Sequence, residues 1–164
     1  MKYANFHLLS ITLLSILFFT ACNNDKTEAP DVPPVMQITV WSGPTVTFEK
    51  PDDTDHTLEA NQDRITNLVW ITRAEGGGQI FNAVTEDDAS KDTSPAGTLW
   101  AEGTTADLDN LTFGNFRTVV DMPRNIVGTD YVMLLVEENI AIDIKFTSWS
   151  RNKKGGFAYE RSSN

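Results

Sequence analysis

Tyr131-Val132-Met133-Leu134-Leu135-Val136-Glu137, then Glu138-Asn139, then Ile140-Ala141-Ile142-Asp143-Ile144-Lys145-Phe146-Thr147-Ser148-Trp149 is the stretch on which the reading of this chain turns. Two apolar runs rich in β-branched residues flank a two-residue polar break, which predicts a β-hairpin. Pairing across that break sets Glu137 opposite Ile140, Leu135 opposite Ile142, Met133 opposite Ile144 and Tyr131 opposite Phe146. Side chains alternate across a strand, so this face is apolar. The other face carries Val132, Leu134 and Val136 against Ala141, Asp143 and Lys145, with Thr147 and Trp149 beyond. A hairpin of this kind packs on a core through one face and is partly covered on the other.

Outward from the hairpin, further β-branched and aromatic runs predict strands at residues 35–41, 45–49, 68–73, 79–84, 98–102, 116–121 and 157–161. Turn signals separate them: Ser42-Gly43-Pro44, the triple glycine Gly76-Gly77-Gly78 and Gly155-Gly156. Residues 50–63 form a polar loop, and residues 105–111 a single helical turn with Thr105 as its N-cap. Nine short strands without an amphipathic helix predict an all-β fold, an antiparallel β-sandwich wound like a jelly roll, with a closed barrel as the alternative. Trp41, Trp70 and Trp100 lie inside apolar runs and are expected in the core.

The chain opens with Lys2 and an apolar run from Phe6 to Phe19 that ends at Thr20-Ala21-Cys22. The run is shorter than a membrane span, which needs roughly 20 residues, and reads as a signal peptide over residues 1–21. Residues 22–34 are polar and proline-rich, a tether, and residues 35–164 are expected to form one domain. Cys22 is the chain's single cysteine, so no intramolecular disulfide forms and stability rests on the core. All 23 acidic residues lie beyond residue 21, and removing the leader takes away Lys2, so the mature chain is more acidic than the −10 of the whole. Such acidity argues against nucleic-acid partners, whose phosphates it repels.

Phe19-Thr20-Ala21-Cys22 resembles the lipobox of bacterial lipoproteins, with Phe19 where leucine is commonest. That resemblance implies lipid attachment at Cys22 and a place in the cell envelope, at the outer membrane. Asp25 and Glu28 resemble the acidic export signals of surface lipoproteins in Bacteroidota. Residues 94–105 (Ser-Pro-Ala-Gly-Thr-Leu-Trp-Ala-Glu-Gly-Thr-Thr), together with residues 142–150 and 155–162, resemble a module of secreted and cell-surface proteins of Bacteroidota. The resemblance implies an exported β-domain and brings no catalytic residues.

Chemistry has few parts to work with. His56 is the single histidine beyond the leader and lies in an acidic loop, where it is expected to be solvated; no nucleophile–histidine arrangement is indicated. One histidine and no free thiol disfavour zinc. Calcium takes oxygen ligands, and Asp52, Asp53 and Asp55 are its candidates, at a spacing that does not match an EF-hand loop. Residues 141–146 superficially resemble the Glu-x-Asp-x-Glu strand of laminarinase-like glycosidases, but Ala141 and Lys145 stand where that family has its two glutamates. Asp143 is instead expected to pair with Lys145 or an arginine.

Binding fits the residues better. Trp149 on the mixed face adjoins Ser150-Arg151-Asn152-Lys153-Lys154, the basic cluster of an acidic chain, and Tyr159 lies across the Gly155-Gly156 turn. An aromatic platform beside cationic side chains suits a sugar ring or a protein partner. Trp149, Arg151 and Tyr159 are therefore the candidate ligand contacts of a non-catalytic binding or scaffolding module for a glycan or surface protein. A small hydrolase acting on carbohydrate, or a structural subunit assembling through sheet edges, is the alternative.

Overall fold

A computed structural model describes residues 37–164; the leader, Cys22 and the tether lie outside the described residues. Nine strands are present among the described residues: β1 (Thr39–Trp41), β2 (Val46–Lys50), β3 (Asp63–Arg64), β4 (Trp70–Arg73), β5 (Ile80–Asn82), β6 (Thr98–Glu102), β7 (Asp130–Leu135), β8 (Ile140–Trp149) and β9 (Phe157–Arg161). They make two sheets, β2-β9-β8-β7-β6 and β3-β4-β5, all antiparallel apart from a three-residue parallel pairing of β1 with β8. The edges β2 and β6 do not pair with each other, so the large sheet is open rather than a barrel. One core joins the sheets, drawing Val69, Ile71 and Ile80 from the smaller side and Trp100, Met133, Leu135, Ile142, Ile144, Phe146 and Tyr159 from the larger. The fold is an all-β, two-sheet sandwich.

The central hairpin is present, with its register moved by two residues. Leu135 pairs with Ile140, Met133 with Ile142 and Tyr131 with Ile144. The turn is therefore Val136-Glu137-Glu138-Asn139, four residues rather than two, with Asn139 at φ 53°. A two-residue slip keeps every side chain on its predicted face, because the side-chain period is two. Tyr131, Met133 and Leu135 accordingly remain on the core side with Ile142 and Ile144.

The same period fails further along β8. Between Phe146 and Ser148 the pairing with β9 shifts by a bulge. One extra residue on one strand returns the next side chain to the same face, so Thr147 and Ser148 are exposed and Trp149 turns to the core side. Its ring packs 5.8 Å from Phe146 and 6.1 Å from Phe157. Strict alternation had placed it on the opposite, mixed face.

Residues 116–121 are not a strand. Phe116–Val120 is a one-turn helix, α1, that buries Phe116 and Val120, four residues apart, against the core. Phe116 meets Trp100 edge-on at 4.9 Å. The ninth strand is instead β3, a polar pair whose Asp63 is buried. Thr105 is not an N-cap: it is the first residue of a 3-10 turn, Thr105–Asn110, and its backbone N and Oγ1 both donate to Asp143 at 2.7 Å. Asp143 thus serves a turn that covers the outer face of β8, while Lys145 pairs with Asp130. Trp70 also leaves the core list. It is half-buried with the Arg64 guanidinium 4.1 Å above its ring, whereas Trp100 is fully buried and Trp41 packs on the core edge.

Candidate functional site

A cleft of about 550 Å³ among the described residues opens where five segments meet. The β4–β5 turn gives Gly76, Gly77 and Gly78, followed by Gln79; the β5–β6 loop gives Asp88 and Lys91; α1 gives Arg117; the 3-10 turn Pro123–Asn125 gives Arg124; the end of β8 gives Trp149. Local sequence explains each placement. Gly77 and Gly78 sit at φ 89° and 87°, a region where side-chain-bearing residues are strained. A Cβ on Gly77 would meet the Lys153 backbone at 3.0 Å, so the triple glycine lets the β4–β5 turn and the β8–β9 turn lie against each other.

Arg73 holds this wall in place. Its Nε donates to Gly78 O at 2.9 Å, and its Nη1 donates to Gly156 O at 2.8 Å and Ser150 O at 3.1 Å. The guanidinium lies 4.1 Å over the Trp149 ring, close enough for a cation–π contact. Burial lowers its pKa to about 10, against a smaller upward pull from Asp52, so it stays charged at neutral pH. Arg73 is a structural clamp covering one side of the indole; what remains exposed of Trp149 lines the cleft.

The cleft is cationic. Lys91 and Arg117 have no carboxylate or hydrogen-bond partner among the described residues, and Arg124 touches the Met122 sulfur. Asp88 is the one carboxylate among the described residues that lines it. Beneath the rim, Gln79 is buried and its Nε2 donates to Ser90 O and Thr93 O, while Oε1 has no partner.

Of the three predicted contacts, one lines this cleft. Trp149 does; Arg151 is exposed on the β8–β9 turn and is not among the lining residues. Tyr159 is fully buried, and its hydroxyl donates to Asp63 Oδ2 at 2.6 Å. Side chains alternate along β9, and Tyr159 falls on its core face with Phe157, so it forms no surface platform. Its pKa is raised well above 10.0, by burial first and then by Asp63. Asp63 also takes Arg161 Nε at 2.7 Å and Nη2 at 2.9 Å. Burial pulls the Arg161 pKa down, and the bonds and charge of Asp63 outweigh this and raise it. This buried triad joins β3 to β9.

The acidic loop is arranged differently from the calcium expectation. Asp52, Asp53 and Asp55 do not converge: Asp52 faces Lys154 at 3.4 Å, and hydrogen bonding to Ser150 is the main cause of its lowered pKa. The group whose ligand atoms do converge, within 4.8 Å of one another, is Asp55, His56 and Glu75. These already have internal partners. His56 Nδ1 donates to Glu75 Oε2 at 2.6 Å, and Asp55 Oδ1 accepts from Thr57 N and Oγ1, each at 2.8 Å. His56 is half-buried, with its ring edge-on to Phe81 at 5.5 Å, and is not the solvated loop histidine expected.

Sequence reading found Trp149 and missed Gln79, Lys91, Arg117 and Arg124. These lie in four separate segments and converge only in the folded domain. No family model matches this chain, and no curated protein or solved structure is detectably similar to it.

Proposed function

We propose that this chain is a lipid-anchored cell-envelope protein whose β-sandwich is a non-catalytic binding module, with its ligand site in the cleft beside Trp149. The observation that supports this most is the cleft itself. Its volume of about 550 Å³ lies within the roughly 300–1,000 Å³ of small-ligand sites. It combines an aromatic wall with basic side chains that have no carboxylate partner among the described residues, in a chain of net charge −10. A glycosidase would need two carboxylates facing one bond, and Asp88 alone lines the cleft. Assembly through sheet edges draws less support, because the apolar hairpin is interior: β8 has β7 on one side and β1 and β9 on the other. The lipid anchor rests on the Phe19-Thr20-Ala21-Cys22 sequence.

The test is to present the detergent-solubilised full chain to an array of glycans, beside a variant carrying Arg117→Gln and Arg124→Gln. The proposal expects selective binding that the double variant loses. Binding that survives the double variant unchanged would remove the cleft from the account.

A further inference from the structure

We infer that the cleft takes an acidic saccharide, whose carboxylate or sulfate groups meet Lys91, Arg117 and Arg124 while a ring hydroxyl donates to Gln79 Oε1. The inference rests on the binding-module reading and specifies its ligand.

The first argument is where the chain keeps its unspent positive charge. Elsewhere basic side chains are neutralised: Arg64 by Glu59, Lys145 by Asp130, Lys154 by Asp52 and Arg161 by Asp63. Lys50 is buried and donates to Thr54 O, and Arg73 is consumed by carbonyls and Trp149. Among the described residues, Lys91, Arg117, Arg124, Arg151 and Lys153 have no carboxylate partner. Three of them line the cleft, and Arg151 and Lys153 lie on the turn that packs against its glycine wall at Gly77. The next cleft, about 410 Å³, shows the contrast: its Lys145 and Arg161 are both ion-paired. Basic groups gathered this way in an acidic chain make the cleft a local site of positive potential, which attracts an anion that the rest of the surface repels.

The second argument is independent of charge. Gln79 is 4% exposed, and its Oε1 is the one buried side-chain polar atom without a partner among the described residues. Both hydrogens of its amide point to carbonyl oxygens of Ser90 and Thr93, which fixes Oε1 as the free acceptor. A buried acceptor without a donor is rare in folded proteins. Sulfate and carboxylate groups have no proton to give at neutral pH, so a ligand that satisfies Oε1 carries hydroxyl or N–H donors as well as negative charge. An acidic sugar carries both on one ring, and its C–H face suits the exposed part of Trp149. A cleft walled by five segments fits a short oligosaccharide better than the surface of a folded protein.

The experiment measures affinity of the detergent-solubilised full chain for galacturonate oligomers, sulfated dextran oligomers, neutral dextran oligomers and polyglutamate, at low and high salt. One or both acidic saccharides should bind about tenfold or more tightly than neutral dextran, with affinity falling as salt rises. Which of the two binds identifies carboxylate or sulfate as the recognised group. Arg117→Gln with Arg124→Gln should weaken binding about tenfold or more, and Gln79→Met several-fold, while Arg64→Gln, a base outside the cleft, should leave it unchanged. Circular dichroism confirms that each variant is folded. Neutral dextran binding as tightly as the acidic sugars would overturn the inference and leave the binding module standing. Polyglutamate binding equally well would overturn it in favour of an acidic peptide. Binding to none of the four would remove the saccharide inference, and silence across the glycan array as well would remove the module reading with it.

Discussion

Replacing Asp63 by alanine should be the most damaging single change outside the apolar core. The carboxylate accepts from Tyr159 Oη at 2.6 Å, Arg161 Nε at 2.7 Å and Arg161 Nη2 at 2.9 Å, and the Asp63 and Arg161 side chains are 8% and 9% exposed. Removing one member of a buried pair leaves the other charge unsolvated and unpaired, a loss of about 3–5 kcal/mol. At about 2 cal/mol/K per residue, a domain of this size has an unfolding entropy of roughly 0.27 kcal/mol/K, so the melting temperature should fall by roughly 10–20 °C. Urea denaturation of the full chain in detergent, followed by circular dichroism, measures the free-energy loss, and a thermal scan the shift in melting temperature. The double replacement Asp63→Leu with Arg161→Met removes both charges and should be less destabilising than Asp63→Ala alone, since apolar substitutes for a whole buried pair are often tolerated. A loss below about 1 kcal/mol for Asp63→Ala, or a double variant as unstable as the sum of the singles, would refute the reasoning.

Tyr159 gives a pH prediction. Its folded pKa is raised, so its contribution to stability is present below the ordinary value of 10.0 and is lost as pH rises through the folded value; alkaline unfolding above pH 10 should be shallower in Tyr159→Phe, as read by denaturation midpoints across pH. Asp52, Asp55 and Glu75 have lowered pKa values, so their contribution is present above their ordinary 3.8 to 4.5 and should fade as pH drops below that range, which acid titration of the denaturation midpoint follows. Trp149→Ala should cost about 2–4 kcal/mol, because the ring packs on Phe146 and Phe157 and supports Arg73; a variant as stable as the parent would return the indole to the surface. Cys22→Ala should release the protein from membranes, and a wild-type chain that takes up no labelled lipid precursor would end the lipoprotein proposal.

The two-sheet class was legible because alternation and turn residues act locally. β6 and β9 have the predicted boundaries, and the hairpin has the predicted faces. What failed depended on structure the pattern cannot carry. The bulge after Phe146 adds one residue and reverses the face of Trp149. The run at 116–121 is rich in β-branched residues, yet it folds as α1 because Phe116 and Val120 at helical spacing both find the core. β3 is polar and two residues long, and is held by Asp63 reaching Arg161 across 98 residues. The strand order, a meander from β6 to β9 with β2 beyond β9, leaves the expected jelly-roll winding unconfirmed. The basic cleft was hidden for a similar reason: the one basic run visible in the sequence, 150–154, flanks the site, while the cations that line it are scattered.

The four indoles, Trp41, Trp70, Trp100 and Trp149, give separate reporters of where a ligand sits. The decisive measurement is a heteronuclear NMR titration of the labelled full chain in detergent with whichever acidic oligosaccharide binds, trigalacturonate or a sulfated dextran oligomer, its indole signals assigned by single Trp→Phe variants. The account predicts movement of the Trp149 indole and the Gly76, Gly77 and Gly78 amides, with Trp70, which lies under Arg64 and does not line the cleft, unmoved. Shifts centred on Trp70, or on the acidic loop around His56, would contradict it.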